Sequence, residues 1–192
     1  MREMVNLFIA VLLFSTVSGG LLAFVKASTE ERITNQQLKF VKGPAIEQIL
    51  EGCTNEPITD RFVLTDGGTE RIFFVGEFDG KRNTVAFESA GGGFGGEIGV
   101  IVAVNVETDD IVGVAVTTHS ETPGLGSRAK DDPSFASQFK GLPIKDPFTV
   151  KTDGGQIDAL SGATVTSRGV CGAVTASSAV YFRLKEAVVE KL

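Results

Sequence analysis

Asp158-Ala-Leu-Ser-Gly-Ala-Thr-Val-Thr-Ser-Arg168 separates two kinds of periodicity in this chain. After it, Val170, Ala173, Val174, Ser177, Tyr181, Leu184 and Val188 recur on one face of a helix, with Arg168, Arg183, Lys185 and Glu186 mostly off that face. Before it, the apolar runs are short and punctuated by turn residues, which is the signature of strands. Residues 98–106 and 111–118 form the clearest pair, joined by the polar turn Glu107-Thr-Asp-Asp110. Residues 61–64, 70–78 and 83–88 read as further strands, with Asp66-Gly67-Gly68 turning between the first two. Residues 148–150 and 156–159 read as short strands around Asp153-Gly154-Gly155. A short helix is expected from Asp132-Pro133-Ser134 through Phe139, with Pro133 at its first position. This order predicts a mixed α+β domain ending in a long helix.

The junction itself is crowded with small residues and hydroxyls. A helix start carries unpaired N–H groups and the positive end of the helix dipole. Two readings follow. Ser161, Thr164, Thr166 and Ser167 are candidate caps, with tight packing through Gly162 and Ala163. Alternatively the junction is a seat for a phosphate, which a neighbouring hydroxyl carries covalently. Residue chemistry alone leaves both open.

At the other end, residues 5–25 contain no charge and are rich in Leu, Phe, Val and Ile. A run of about 20 such residues spans a bilayer as a helix. Ser15, Thr16, Ser18, Gly19 and Gly20 in its middle suit packing against other membrane helices. The rival reading is a signal peptide cleaved near Val25-Lys26-Ala27, but the run is longer than a usual signal core. An uncleaved anchor is the reading adopted. The basic residues divide, with Arg2 and the amino terminus on one side of the run and Lys26 and Arg32 on the other; a first helix normally leaves its short basic end inside, which puts the bulk of the chain outside. Residues 1–28 are thus expected as a membrane anchor and 29–52 as a helical connector interrupted at Gly43-Pro44.

Composition narrows the chemistry. Of 192 residues, 42% are hydrophobic, enough for one core. The net charge of −6 argues against a nucleic-acid partner. One His and two Cys leave no His cluster and no Cys-rich zinc site to build. Cys53 and Cys171 are able to pair in an oxidising compartment, but two cysteines make no framework, and both read as small buried hydrophobes. Ser120 and Ser161 lie in no nucleophile elbow, so no hydrolase and no catalytic residue is assigned.

Two glycine-rich stretches remain. Ala90-Gly-Gly-Gly-Phe-Gly-Gly96 precedes a strand and is no dinucleotide fingerprint. It reads either as a hairpin or bulge, or as a close backbone approach to a flat ligand beside Phe94. Thr122-Pro-Gly-Leu125 has the residues of a type II turn, which presents Glu121, Thr122 and Leu125 in fixed positions.

Asp158-Ala-Leu-Ser-Gly-Ala-Thr164 resembles the flavinylation motif of the FMN-binding domain family, and Glu121-Thr-Pro-Gly-Leu-Gly126 resembles the companion motif in two of its branches. These branches are the G subunits of Rnf electron-transport complexes and the C subunits of sodium-translocating NADH:quinone reductases. The resemblance covers about residues 91–181 and the N-terminal helix, and the shortness of the chain favours the Rnf branch. It implies one FMN-binding domain over residues 53–192 and FMN held covalently on Thr164 by a phosphoester. A separate magnesium-dependent flavin transferase, with FAD as donor, would read Asp158, Ser161, Gly162 and Ala163. The flavin ring would lie against Glu121, Thr122 and Leu125. Gly93-Phe94-Gly95-Gly96 stands where the family often has Gly-Tyr-x-Gly, and Phe135 is expected to replace a frequent Trp after the Pro-Gly turn.

The function so implied is an electron relay with no catalytic activity of its own. It would sit in a bacterial inner (cytoplasmic) membrane, single-pass, with the flavin domain on the extracytoplasmic side. Its partners would be the other membrane proteins of an Rnf-type ion-translocating complex. The alternatives are the corresponding quinone-reductase component, another flavinylated extracytoplasmic protein, or a membrane-anchored binding module without redox chemistry.

Overall fold

The computed structural model describes residues 2–192 and divides the chain into two compact units, residues 1–40 and 41–192. The first is carried by helix α1, Arg2–Gln37, which runs unbroken through Gly19-Gly20. It is long and apolar enough to cross a membrane over Arg2–Glu30. Its apolar side chains point outward all round, Phe8, Leu12, Phe14 and Leu22 among them. A helix apolar on every side and unburied by its own fold suits lipid and not water. The hydroxyl of Thr16 donates to the Leu12 carbonyl at 2.8 Å, so this polar group is satisfied within the helix. A π-helical turn, Leu38–Lys42, follows.

In the second unit, helix α2 (Gly43–Ile49) starts with Pro44 in its first turn, where the missing N–H is harmless. Five antiparallel strands then form a meander in sequence order. They are β1 (Arg61–Asp66), β2 (Thr69–Phe78), β3 (Lys81–Gly92), β4 (Glu97–Asn105) and β5 (Ile111–Thr118). Gly67 and Gly68 both have positive φ, as a two-residue hairpin loop with the sheet's twist requires. β3 runs further than its apolar pattern indicates and takes Ala90–Gly92 into the ladder, Gly92 pairing with Glu97. Only Gly93–Gly96 is left as the hairpin tip. Short helices α3 (Arg128–Asp131) and α4 (Pro133–Ser137) follow, and Asp132 caps the second by accepting from the Ser134 N–H at 3.1 Å. Helix α5, Thr164–Lys191, ends the chain.

The two short strands expected at 148–150 and 156–159 are not there. A single parallel bridge joins Val150 to Ile157, and Lys151–Asp153 is a 3-10 turn. The expected runs are too short to sustain a ladder, and Phe148, Val150 and Ile157 are instead buried as core side chains.

α5 lies on one face of the sheet. Of the face the helical period selects, Val170, Ala173, Val174, Ser177, Tyr181 and Val188 are buried and Leu184 is half-buried; Cys171 and Val180 beside it are buried as well. They pack with Phe73, Val85, Phe87, Val100, Val102, Phe135 and Phe139. The contact is backbone-close at one point: a Cβ on Gly169 would stand 2.7 Å from the Gly92 carbonyl oxygen. The opposite face buries Phe74, Ala86, Ile101 and Ala103, and α2 brings Ile46 and Leu50 to full burial. Leu50 and Ile49 approach the sheet at Gly76 and Gly113, where a side chain would crowd them. Both cysteines are free, Cys171 buried and Cys53 half-buried. Burial pushes the Cys171 thiol up to about 11, which keeps it protonated and inert.

Asp66 and Asp109 are among the carboxylates that tie α5 to the sheet and its loops. Asp66 accepts from Arg183 at 3.0 and 2.8 Å and from Arg71 at 3.0 Å, and Arg183 above all holds its pKa below the usual carboxylate value. Burial pushes the Asp109 carboxyl up. The Lys185 ammonium at 2.6 Å and the Tyr181 hydroxyl at 2.6 Å outweigh that and hold it low. A carboxylate with a lowered folded pKa stabilises fully above its unfolded pKa, and the contribution is lost as pH falls through the lowered folded value. Thermal melts of the detergent-solubilised chain are therefore expected to drop as pH passes down through the carboxylate range, and Lys185→Met is expected to flatten part of that drop. Melts of equal midpoint from neutral pH to about pH 3 would contradict this.

Candidate functional site

The loop before α5 is shaped by Gly162, whose φ of +79° is left-handed and unfavourable for any side chain. Ala163 follows as the residue before the helix, with φ −132° and ψ 43°. No side chain caps the helix. The capping reading of Ser161, Thr164, Thr166 and Ser167 is thus overturned, and the reason is that the buried hydroxyls are engaged elsewhere. Ser167 Oγ donates to the Ala163 carbonyl at 3.0 Å and accepts from the Leu160 N–H at 3.0 Å, bracing the loop. Thr166 Oγ1 donates to Glu121 Oε2. The first helical bond runs from the Ser167 N–H to the Ala163 carbonyl at 3.0 Å. The N–H groups of Thr164, Val165 and Thr166 precede it at the positive end of a 28-residue helix.

A pocket of about 350 Å³ opens at this helix start. Three segments line it: Phe94 of the hairpin tip, Glu121, Thr122, Leu125 and Gly126 of the loop after β5, and Gly162–Thr166. The volume falls in the range of about 300–1,000 Å³ usual for small-molecule sites. Thr122-Pro-Gly-Leu125 is the type II turn its residues require, with Gly124 at φ +74° and the Leu125 N–H donating to the Thr122 carbonyl at 3.2 Å. Phe94 is 75%, Leu125 50% and Val165 44% exposed, so the pocket mouth is an apolar rim around a polar floor. Thr164 is half-buried on the wall, and its hydroxyl makes no hydrogen bond among the described residues.

The structure brings together most of the residues singled out from sequence. Thr164, Gly162, Ala163, Glu121, Thr122 and Leu125 all line the one pocket, although Leu125 and Gly162, the nearest of them across the two motifs, are 37 positions apart. Ser161 is exposed beside it and is not in the wall. Asp158 also lies outside, exposed and ion-paired to Lys151 at 2.6 Å, with its N–H held by Gln138 Oε1 at 2.7 Å. Phe135 does not reach the pocket. It is 1% exposed and packs edge-on against Phe139 at 6.0 Å, because α4 turns its apolar side into the core. Val165 and the backbone of Gly126 were not singled out as wall residues. Val165 sits one position past the motif, on the exposed side of the first helical turn.

No group of three or more His, Cys, Asp or Glu able to hold a metal occurs among the described residues. The donor set suits a phosphorylated ring compound: N–H groups and a dipole for an anion, a free hydroxyl, and an apolar mouth for a flat ring.

That is the class the comparisons define: residues 93–178 match the family model of the FMN-binding domain. The G subunit of the ion-translocating oxidoreductase complex of Methanosarcina acetivorans is 31% identical over 175 residues, covering 90% of this chain and 92% of that protein. Its counterpart in Cereibacter sphaeroides is 35% identical over 173 residues, covering 84% and 77%. The chain belongs to this family of G subunits. Among solved structures, the C subunit of the Na(+)-translocating NADH-quinone reductase of Parabacteroides distasonis has a TM-score of 0.53 and 29% identity, covering 60% of this chain and 63% of that one, less than two thirds of its length. NqrC of Shewanella oneidensis has a TM-score of 0.53 and 27% identity, covering 71% and 72%.

Proposed function

We propose that this chain is a membrane-anchored electron carrier of an Rnf-type ion-translocating oxidoreductase complex, with FMN joined to Thr164 Oγ by a phosphoester. One observation carries the assignment of the atom: at the helix start, Thr164 alone has a hydroxyl that both lines the pocket and is unengaged. The family of the chain supports the cofactor and the complex.

In maturation, Thr164 Oγ supplies the nucleophile. Its oxygen bonds to the flavin-side phosphorus of FAD, the pyrophosphate link to AMP breaks, and the hydroxyl proton leaves with the AMP. A flavin transferase catalyses the exchange and reads the exposed Asp158 and Ser161. Gly162 and Ala163 let its site close over the hydroxyl. The N–H groups of Thr164, Val165 and Thr166 at the helix start would then be available to the phosphate, where the helix dipole favours an anion. Leu125, Val165 and Phe94 at the pocket mouth would shield a bound ring from water, and Thr122 would offer it a polar contact. Bound FMN supplies one- and two-electron transfer. The tether keeps the site loaded where free cofactor would be lost by dilution, and α1 holds it near the other membrane proteins of the complex. An extracytoplasmic flavin domain follows from the habit of a first helix to leave its short basic end, here Arg2, inside, although Lys26 and Arg32 flank the other end.

The experiment is co-expression with a flavin transferase, followed by a denaturing gel read by flavin fluorescence. A fluorescent band at the mass of this chain is expected, and protease added to intact spheroplasts should remove it. A dark band would sink the covalent reading, and a protected band the orientation.

A further inference from the structure

Glu121 is the one charged residue in the buried class among the described residues, at 6% exposure. A carboxylate out of water is costly unless each oxygen is satisfied. Here both are. Oε1 accepts from the Gly95 N–H at 2.8 Å, and Oε2 accepts from the Thr166 hydroxyl. The three groups come from three segments: the β3–β4 hairpin tip, the loop after β5, and the first turn of α5. Glycines make room for the carboxylate. A Cβ on Gly126 would stand 2.6 Å from Oε2, and one on Gly93 would overlap Oε1. Each of the three segments also supplies a wall of the pocket: Phe94, then Thr122 and Leu125, then Thr164 and Val165.

We infer that Glu121 is a positioning residue whose carboxylate clasps the hairpin tip to the start of α5, fixing the pocket walls and withholding the Thr166 hydroxyl from flavin attachment. The flavin part of this inference rests on the reading of the pocket given above; the clasp itself does not. Its buried charge faces the pocket and opposes the arrival of electrons there.

The test uses the full-length chain as Glu121→Ala, Glu121→Gln, Thr166→Val and Thr166→Ser, with and without a co-expressed flavin transferase. Without flavin, amide hydrogen exchange at Gly93–Gly96 is read. Loss of a hydrogen bond to a charged group predicts about tenfold or faster exchange in Glu121→Ala. Thr166→Val should accelerate it less, and Thr166→Ser should restore it. The double variant Glu121→Ala with Thr166→Val should exchange like Glu121→Ala alone, because both changes act through one carboxylate. With flavin attached, Glu121→Gln should raise the midpoint potential and lower the fluorescence anisotropy. Peptide mapping should find flavin on Thr166 only in the Glu121 variants. Unchanged exchange in Glu121→Ala, additive effects in the double variant, or failure of serine to rescue would each overturn the clasp. If the wild-type chain takes up no flavin, the Thr164 assignment has failed and the exchange data still decide the clasp.

Discussion

Thr164→Ala should abolish the covalent flavin. On a denaturing gel the variant should give no fluorescent band after co-expression with a transferase, and its intact mass should be that of the bare chain. The loss should be chemical and not a folding defect. Thr164 is half-buried, its hydroxyl holds nothing, and removing it should change stability by no more than about 0.5 kcal/mol. Gly172→Ala, on the outer face of the same helix and away from the pocket, should keep the band. A fluorescent Thr164→Ala chain would move the acceptor to another hydroxyl, with Thr166 first, and would also contradict the engagement of that group by Glu121.

The second large effect is a change of sign between two glycines three residues apart in α5. Gly169 meets backbone. An added Cβ would stand 2.7 Å from the Gly92 oxygen, 3.0 Å from its carbonyl carbon and 3.2 Å from the Gly93 Cα. These atoms belong to the end of a strand and its hairpin tip and cannot yield as a side chain would. Gly172 meets nothing within 4 Å. Gly169→Ala should therefore destabilise by about 1–3 kcal/mol through overpacking. Gly172→Ala should stabilise by about 0.4–1 kcal/mol, since alanine is the better helix former and loses less freedom on folding. At about 2–4 °C per kcal/mol for a domain of this size, thermal melts resolve the two. Gly169→Ala should also loosen flavin attached at Thr164, because it pushes on the residues that lead into the hairpin tip carrying Phe94. Equal melting temperatures for the two variants would refute the close approach of helix and sheet.

The buried face of α5 could be read from sequence because burial against a flat sheet imposes a period of 3.6 residues. The Gly67-Gly68 hairpin could be read because positive φ has few tenants. The segment from Phe148 to Ile157 could not. Its alternating apolar residues look like strand, but they bury themselves as single plugs in the core, with only one bridge between them. Whether the hydroxyls cap the helix could not be read for a similar reason. Ser167 and Thr166 have the chemistry of caps, yet their partners, Leu160 and Glu121, come from the folded loop and from 45 residues upstream.

By itself, the sequence determined what local pattern can encode: an apolar helix long enough for a bilayer, a series of short strands joined by turns, a final amphipathic helix, and two short motifs whose residue types suit a phosphate and a flat ring. Only the tertiary structure decided that the two motifs share one pocket and which hydroxyl at the helix start is free. It also decided that Glu121 is engaged by Gly95 and Thr166 and that Phe135 belongs to the core. The physical reason is that a hydroxyl or carboxylate is available or spent according to what stands within about 3 Å of it. In this domain those neighbours come from other strands and loops, at separations no local pattern records.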